Sequence, residues 1–136
     1  MRAVVEHMHQ DLPVPDDTGS LAGDFAAVAR TALEMAPSTN FATLMPRLLA
    51  EVAHIPELQA IFYEALVQPR RDTLEAILRR AVERGEIRPD SDVELAIDML
   101  AGPMIYKLII TGGDLEQVAT MPARVLALVL DGLRPR

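Results

Sequence analysis

Apolar residues recur at helical spacing along almost the whole chain, and prolines and small polar residues mark where each run stops. After the turn Asp16-Asp17-Thr18-Gly19, Ser20 can cap a helix whose apolar side is Phe25, Val28, Ala29, Ala32, Leu33 and Met35, closed by Pro37. Ser38, Thr39 or Asn40 could cap the next, marked by Phe41, Leu44, Met45, Leu48, Leu49 and Val52, with Pro46 able to shift its start. Pro56 opens the longest predicted helix, which runs through Leu58, Ile61, Phe62, Leu66, Thr73 and Ile77 to a stop at Gly85. Inside it Pro69 removes one backbone donor and crowds the carbonyl of Ala65, so a kink is expected near Gln68.

The last third carries more apolar surface than one small core can cover. Ser91-Asp92-Val93-Glu94 has the form of a capping box and predicts a helix to about Thr111, stopped by Gly112-Gly113. Asp114 can cap a short turn, and Pro122 opens the final helix. In the first of these helices Val93, Ile97, Leu100, Met104 and Leu108 form a stripe, while Leu95, Met99, Ile105 and Ile109 fill neighbouring sectors. In the last, Met121, Val125, Leu128 and Val129 form one stripe, widened by Leu126, Leu130 and Leu133. A surface helix normally has one apolar stripe and one polar face, so this surplus predicts a self-complementary pair of helices in a homodimeric four-helix bundle. The candidate interface is Leu100, Met104, Leu108, Val125, Leu126, Val129 and Leu133. The expected fold is all-α, an antiparallel helical bundle that dimerises through its last two helices.

Composition narrows the function more than the fold. At 136 residues, half of them hydrophobic and few aromatic, the chain fits one helical domain packed through aliphatic side chains. A net charge of −7 repels phosphate backbones, so the chain alone lacks the electrostatic footprint of a nucleic-acid binder. The absence of cysteine excludes disulfides and thiolate metal sites and agrees with a reducing compartment. Residues 1–10 have no apolar core of signal-peptide length, and Asp98 and Lys107 interrupt the segment around Met104 before it could span a bilayer. A soluble, cytoplasmic protein with no membrane partner is expected.

Candidate chemistry is sparse. Ser20, Ser38 and Ser91 each sit where a helix cap accounts for them, and no cysteine nucleophile, glycine-rich phosphate loop or paired metal motif occurs, so no catalytic residue is assigned. His7 and His9 point to different helix faces, and His54 reads as a residue at a helix start; no metal or cofactor is expected. The doublets Arg70-Arg71 and Arg79-Arg80 are interleaved with acids and read as a salt-bridged, solvated face. Asp98, within an apolar helix, reads as exposed or ion-paired. Phe25, Met35, Phe41, Met45, Phe62, Leu66, Met104 and Tyr106 could line a pocket between helices, Met being adaptable and Tyr bearing a polar tip; the same residues would equally fill an ordinary helical core.

An ordered set of short segments carries a family resemblance. Leu12-Pro13-Val14-Pro15-Asp16-Asp17-Thr18-Gly19-Ser20-Leu21 is followed by Val67-Gln68-Pro69-Arg70-Arg71, then by Ala81-Val82-Glu83-Arg84-Gly85-Glu86-Ile87-Arg88-Pro89-Asp90. Leu100-Ala101-Gly102-Pro103-Met104-Ile105-Tyr106-Lys107-Leu108 and Leu130-Asp131-Gly132-Leu133-Arg134-Pro135 complete it. In this order the chain resembles the C-terminal domain of tetracycline-repressor (TetR) family transcription regulators; Pro122 departs from the pattern. The resemblance implies a domain that binds a small effector and forms the dimer, while an N-terminal helix-turn-helix domain binds operator DNA. On that reading residues 1–10 are the tail of the linker helix from a missing DNA-binding domain, and 11–136 are the ligand-binding and dimerisation domain. The chain would then be a truncated form, a fragment or a headless relative. The implied role is effector sensing for a regulator, read as a repressor, with itself, a small largely apolar effector and, through the missing domain, operator DNA as partners. The alternative is a helical homodimeric interaction scaffold with no small-molecule ligand.

Overall fold

The computed structural model describes the backbone of residues 14–39 and 41–133, and the side chains of all of these but 35–39 and 41–43. The expected linker tail at 1–10 lies outside the described residues. Among those described, the regular structure is entirely helical: α1 (Leu21–Thr39), α2 (Phe41–Val52), α3 (Pro56–Phe62), α4 (Gln68–Glu83), α5 (Val93–Ile105), α6 (Leu115–Ala119) and α7 (Met121–Leu133). A π turn at Tyr63–Val67 joins α3 to α4, and a second at Tyr106–Ile110 extends α5.

Local chemistry sets most of these boundaries. The Ser20 hydroxyl accepts the Gly23 N–H at 3.0 Å and caps α1 as expected. That helix runs to Thr39, past Pro37, because a proline in a last turn forfeits only one hydrogen bond. Likewise Pro46 lies inside α2 and does not set its start. The disturbance expected at Pro69 takes the form of the first π turn: the Gln68 N–H bonds back to the Tyr63 carbonyl, one residue further than in an α-helix. Glycine at φ 77° ends α4, with the Gly85 N–H on Val82 (3.0 Å) and the Glu86 N–H on Ala81 (2.9 Å) in a Schellman pattern. The cap of α5 is Asp92, which accepts the Leu95 N–H at 3.0 Å; Ser91 instead donates to the Arg88 carbonyl. The expected Ser91–Glu94 box is thus corrected by one residue. A true capping box forms at Asp114 and Gln117, at the start of α6.

Two apolar clusters hold the helices together. The larger joins Leu21 and Phe25 of α1, Leu74, Ile77, Leu78 and Ala81 of α4, Ala96, Ile97 and Leu100 of α5, and Leu126 and Val129 of α7, with Ile87 from the loop after α4. The smaller consists of Met45, Leu48 and Val52 of α2 with Leu66 of the first π turn, flanked by Leu58, Ile61, Phe62 and Ile109. Both π turns therefore contribute to the smaller cluster. No helix among the described residues is long and apolar enough to cross a membrane.

Candidate functional site

Packing α5 against α7 consumes one side of each helix. Val93, Ala96, Ile97, Leu100 and Met104, with Val125, Leu126, Val129, Leu130 and Leu133, turn into the larger cluster. Left outward on α5 are the apolar Leu95, Met99 and Ile105 and Gly102, with Tyr106 and Ile110 in the π turn that follows; Leu95, Met99, Gly102 and Tyr106, at intervals of four, three and four residues, share one helix face. Left outward on α7 is Leu128, 78% exposed. Among the described residues a Cβ added at Gly102 or Gly132 would meet nothing within 4 Å, so no packing among them requires either glycine.

This outward face is not the set of residues that the periodicity singled out. Leu100, Leu126 and Val129 are buried in the chain's own core, Met104, Val125 and Leu133 pack on its edge, and Leu108 is half-buried. Their expected surplus thus has cover within the chain. The true surplus is carried by their neighbours, because an apolar arc wider than a stripe does not reveal which of its edges faces inward.

The eight candidate pocket residues are not brought together. Phe25 belongs to the larger cluster and Met104 packs against it, whereas Met45 and Leu66 belong to the smaller one, with Phe62 at its margin. Tyr106 is 59% exposed on the outward face, and Met35 and Phe41 lie outside the described side chains. Beside the smaller cluster, Arg70 donates to the Leu66 carbonyl of the π turn, and burial holds its guanidinium below the usual arginine range.

Each arginine doublet splits, since consecutive helical residues point in different directions. Arg71 turns out to pair with Asp98 and, at 3.9 Å, with Glu94 across the α4–α5 contact, while Arg70 turns in. Arg79 pairs with Glu75 on the surface at 2.6 Å. Arg80 instead faces Asp24, at 3.6 Å.

Asp24, which no sequence pattern singled out, has a side chain 0% exposed. It accepts the Thr18 N–H (3.0 Å), the Thr18 hydroxyl (2.8 Å) and Arg84 (3.1 Å). Burial by itself would raise the pKa of this carboxyl; those hydrogen bonds and the Arg80 charge outweigh it and hold the group below the usual carboxylate range. Arg84 also reaches Glu86 and Asp17, both at 2.6 Å, and Glu86 accepts the Leu21 N–H at 2.9 Å. Arg80 donates to the Pro15 carbonyl. Residues 15–24 are thereby strapped to the C-terminal end of α4.

With this helical arrangement in view, comparison with known proteins decides the family: the model for the tetracyclin repressor-like C-terminal domain matches residues 15–127. The chain belongs to this family. Among relatives of the TetR-like domain, an uncharacterized HTH-type transcriptional regulator of Bacillus subtilis, YdeS, is 33% identical over 105 residues, 77% of this chain and 52% of the relative. The uncharacterized HTH-type regulator Rv1556 of Mycobacterium tuberculosis is 29% identical over 110 residues, 81% of this chain and 53% of the relative. The chain thus spans about half the length of the curated relatives it matches. In three dimensions it is similar to the TetR family transcription regulator SCO0332, with a TM-score of 0.74 and 26% identity, covering 92% of this chain and 67% of that one. Membership places the TetR-like domain among transcription regulators and not among enzymes.

Proposed function

We propose that this TetR-like domain pairs two copies of a transcription regulator, read as a repressor, and senses a small effector on their behalf. The observation that carries the pairing is the apolar exposure left on α5, on the π turn that extends it and on α7, at Leu95, Met99, Ile105, Tyr106, Ile110 and Leu128. A second copy is the occupant that fits it. Gly102, required by no packing among the described residues, lets a partner helix approach the centre of the α5 stripe. Sedimentation equilibrium at micromolar concentration tests this reading: a dimer is expected, and a monomer overturns it.

For the effector, the smaller cluster around Met45, Leu48, Val52 and Leu66 is the proposed site, and a small, largely apolar molecule the proposed ligand. Among the described residues few side chains hold this cluster, and π turns interrupt two of the helices that build it, so it can rearrange at lower cost than the larger core. Such a ligand would favour one placement of α2 and α4 over another, and only that difference in affinity can be passed on. In the intact regulator the response would reach operator DNA through helix-turn-helix units spaced by the dimer. Thermal-shift screening with hydrophobic metabolites reads binding as ligand-linked stabilisation. If no compound shifts melting while the dimer persists, the chain is a helical scaffold without a ligand.

A further inference from the structure

Away from both apolar clusters, a cleft of about 420 Å³ opens between the second π turn, α6 and the start of α7. Its lining includes two cations, Lys107 and Arg124, together with Gln117, Thr120 and Met121. We propose that this cleft binds a small organic carboxylate held between Lys107 and Arg124. The proposal stands apart from the effector reading and does not depend on it.

The first support is charge that the chain leaves unanswered. Arg71, Arg79, Arg80, Arg84 and Arg88 each meet a carboxylate. Lys107 and Arg124 make no ion pair and no side-chain hydrogen bond among the described residues, although Asp114 and Glu116 line the same cleft. Asp114 is engaged elsewhere, accepting the Gln117 backbone N–H at 2.8 Å, while the Gln117 side-chain oxygen Oε1 accepts the Asp114 N–H at 3.1 Å.

The second support is that the cleft is built and not merely left open. Lys107 is half-buried, and a Cβ at Gly113 would come within 2.8 Å of its Cγ and 3.1 Å of its Cε, so the lysine stem lies against bare backbone. The Gly113 N–H bonds to the Lys107 carbonyl at 2.8 Å, and the Thr111 hydroxyl donates to the same oxygen at 3.0 Å. Across the cleft, the Thr120 hydroxyl donates to the Gln117 carbonyl at 2.8 Å and closes α6. A wall held this way restricts where the ammonium can go, and ordering its stem in advance lowers the cost of binding.

The lining also limits the ligand. A guanidinium grips a carboxylate through two parallel hydrogen bonds and an ammonium adds a point charge, so one carboxylate satisfies both cations. The Met121 thioether offers a deformable apolar contact for the organic remainder. Glu116, with no partner in the cleft, disfavours ions of higher negative charge such as phosphate.

Titration of the full chain with benzoate at constant ionic strength, followed by amide and arginine side-chain NMR signals, tests the assignment. Saturable shifts are expected at Gly113, Thr120 and Arg124, with inorganic phosphate binding at least tenfold more weakly. K107Q and R124Q should each weaken benzoate at least tenfold. G113A, which keeps every charge but displaces the lysine stem, should weaken it several-fold, and E116Q should strengthen it. Core amide signals unchanged in all four variants show that each is folded. Shifts that stay linear with concentration, or a benzoate affinity unchanged in both K107Q and R124Q, overturn the site; phosphate binding as tightly as benzoate overturns its assignment to carboxylates.

Discussion

Asp24 shows how a single buried charge can hold a domain together. Its carboxylate is stable in the interior only because the Thr18 N–H and hydroxyl, Arg84 and Arg80 surround it. Its folded pKa lies below its unfolded value, so its contribution is complete above the ordinary carboxylate range and is lost as pH falls through the depressed folded value. Urea denaturation at neutral pH should show Asp24→Asn less stable by on the order of 3 kcal/mol, since Arg84 keeps Asp17 and Glu86 whereas Arg80 is left with the Pro15 carbonyl. Below pH 4 the gap between the two proteins should close as the native carboxyl protonates. A gap that stays constant from neutral pH down to pH 2 would show that folding does not lower the pKa of Asp24. The sequence held one trace of this group, an acid in the first turn of α1, but nothing in one dimension connects it to Arg80 and Arg84 some sixty residues away.

Helix ends and helix faces separate what local pattern decides from what packing decides. The start of α5 was legible in Ser91-Asp92-Val93-Glu94 to within one residue, and the hydrogen bond from Leu95 picks out Asp92 as the cap. Asp92→Ala should therefore cost about 1 kcal/mol in denaturation experiments. Ser91→Ala should cost less, because Ser91 bonds a carbonyl in the preceding loop and caps no helix amide. Neighbours on α7 should behave in opposite ways. Leu126→Glu places a charge in the larger cluster and should unfold the chain or destabilise it by about 3 kcal/mol or more. Leu128→Glu, on the outward face, should leave monomer stability within about 0.5 kcal/mol while weakening self-association at least tenfold by sedimentation. Equal effects of the two substitutions on monomer stability would show that the outward face has been assigned to the wrong edge of the helix.

For the assembled molecule, the expected outcome is a domain that organises DNA binding without performing it. Its net charge of −7 opposes a phosphate backbone, and Arg71, Arg79, Arg80, Arg84 and Arg88 are each held by an acid. A gel-shift assay at low salt should show no sequence-specific complex with this chain alone, and a specific complex for a form joined to a helix-turn-helix unit. In that form Leu128→Glu should lower operator affinity without touching a base-reading residue, since two half-sites are then bound by separate copies. Specific binding by the chain alone would mean that its DNA-reading surface lies within residues 1–136.

The helical class, the order of the helices, the cap at Ser20, the stops at Gly85 and Gly112, and the disturbance before Pro69 all follow from contacts a few residues long, and all could be read from the chain. So could the excess of apolar residues in its last third. Which of those residues face inward, the division of the apolar side chains into two clusters, the inward turn of Arg80 and the placing of Lys107 and Arg124 along one cleft were settled only in three dimensions. Periodicity measures how wide an apolar arc is, but its inner edge is chosen by the helices that pack against it, and those contacts join residues far apart in the chain.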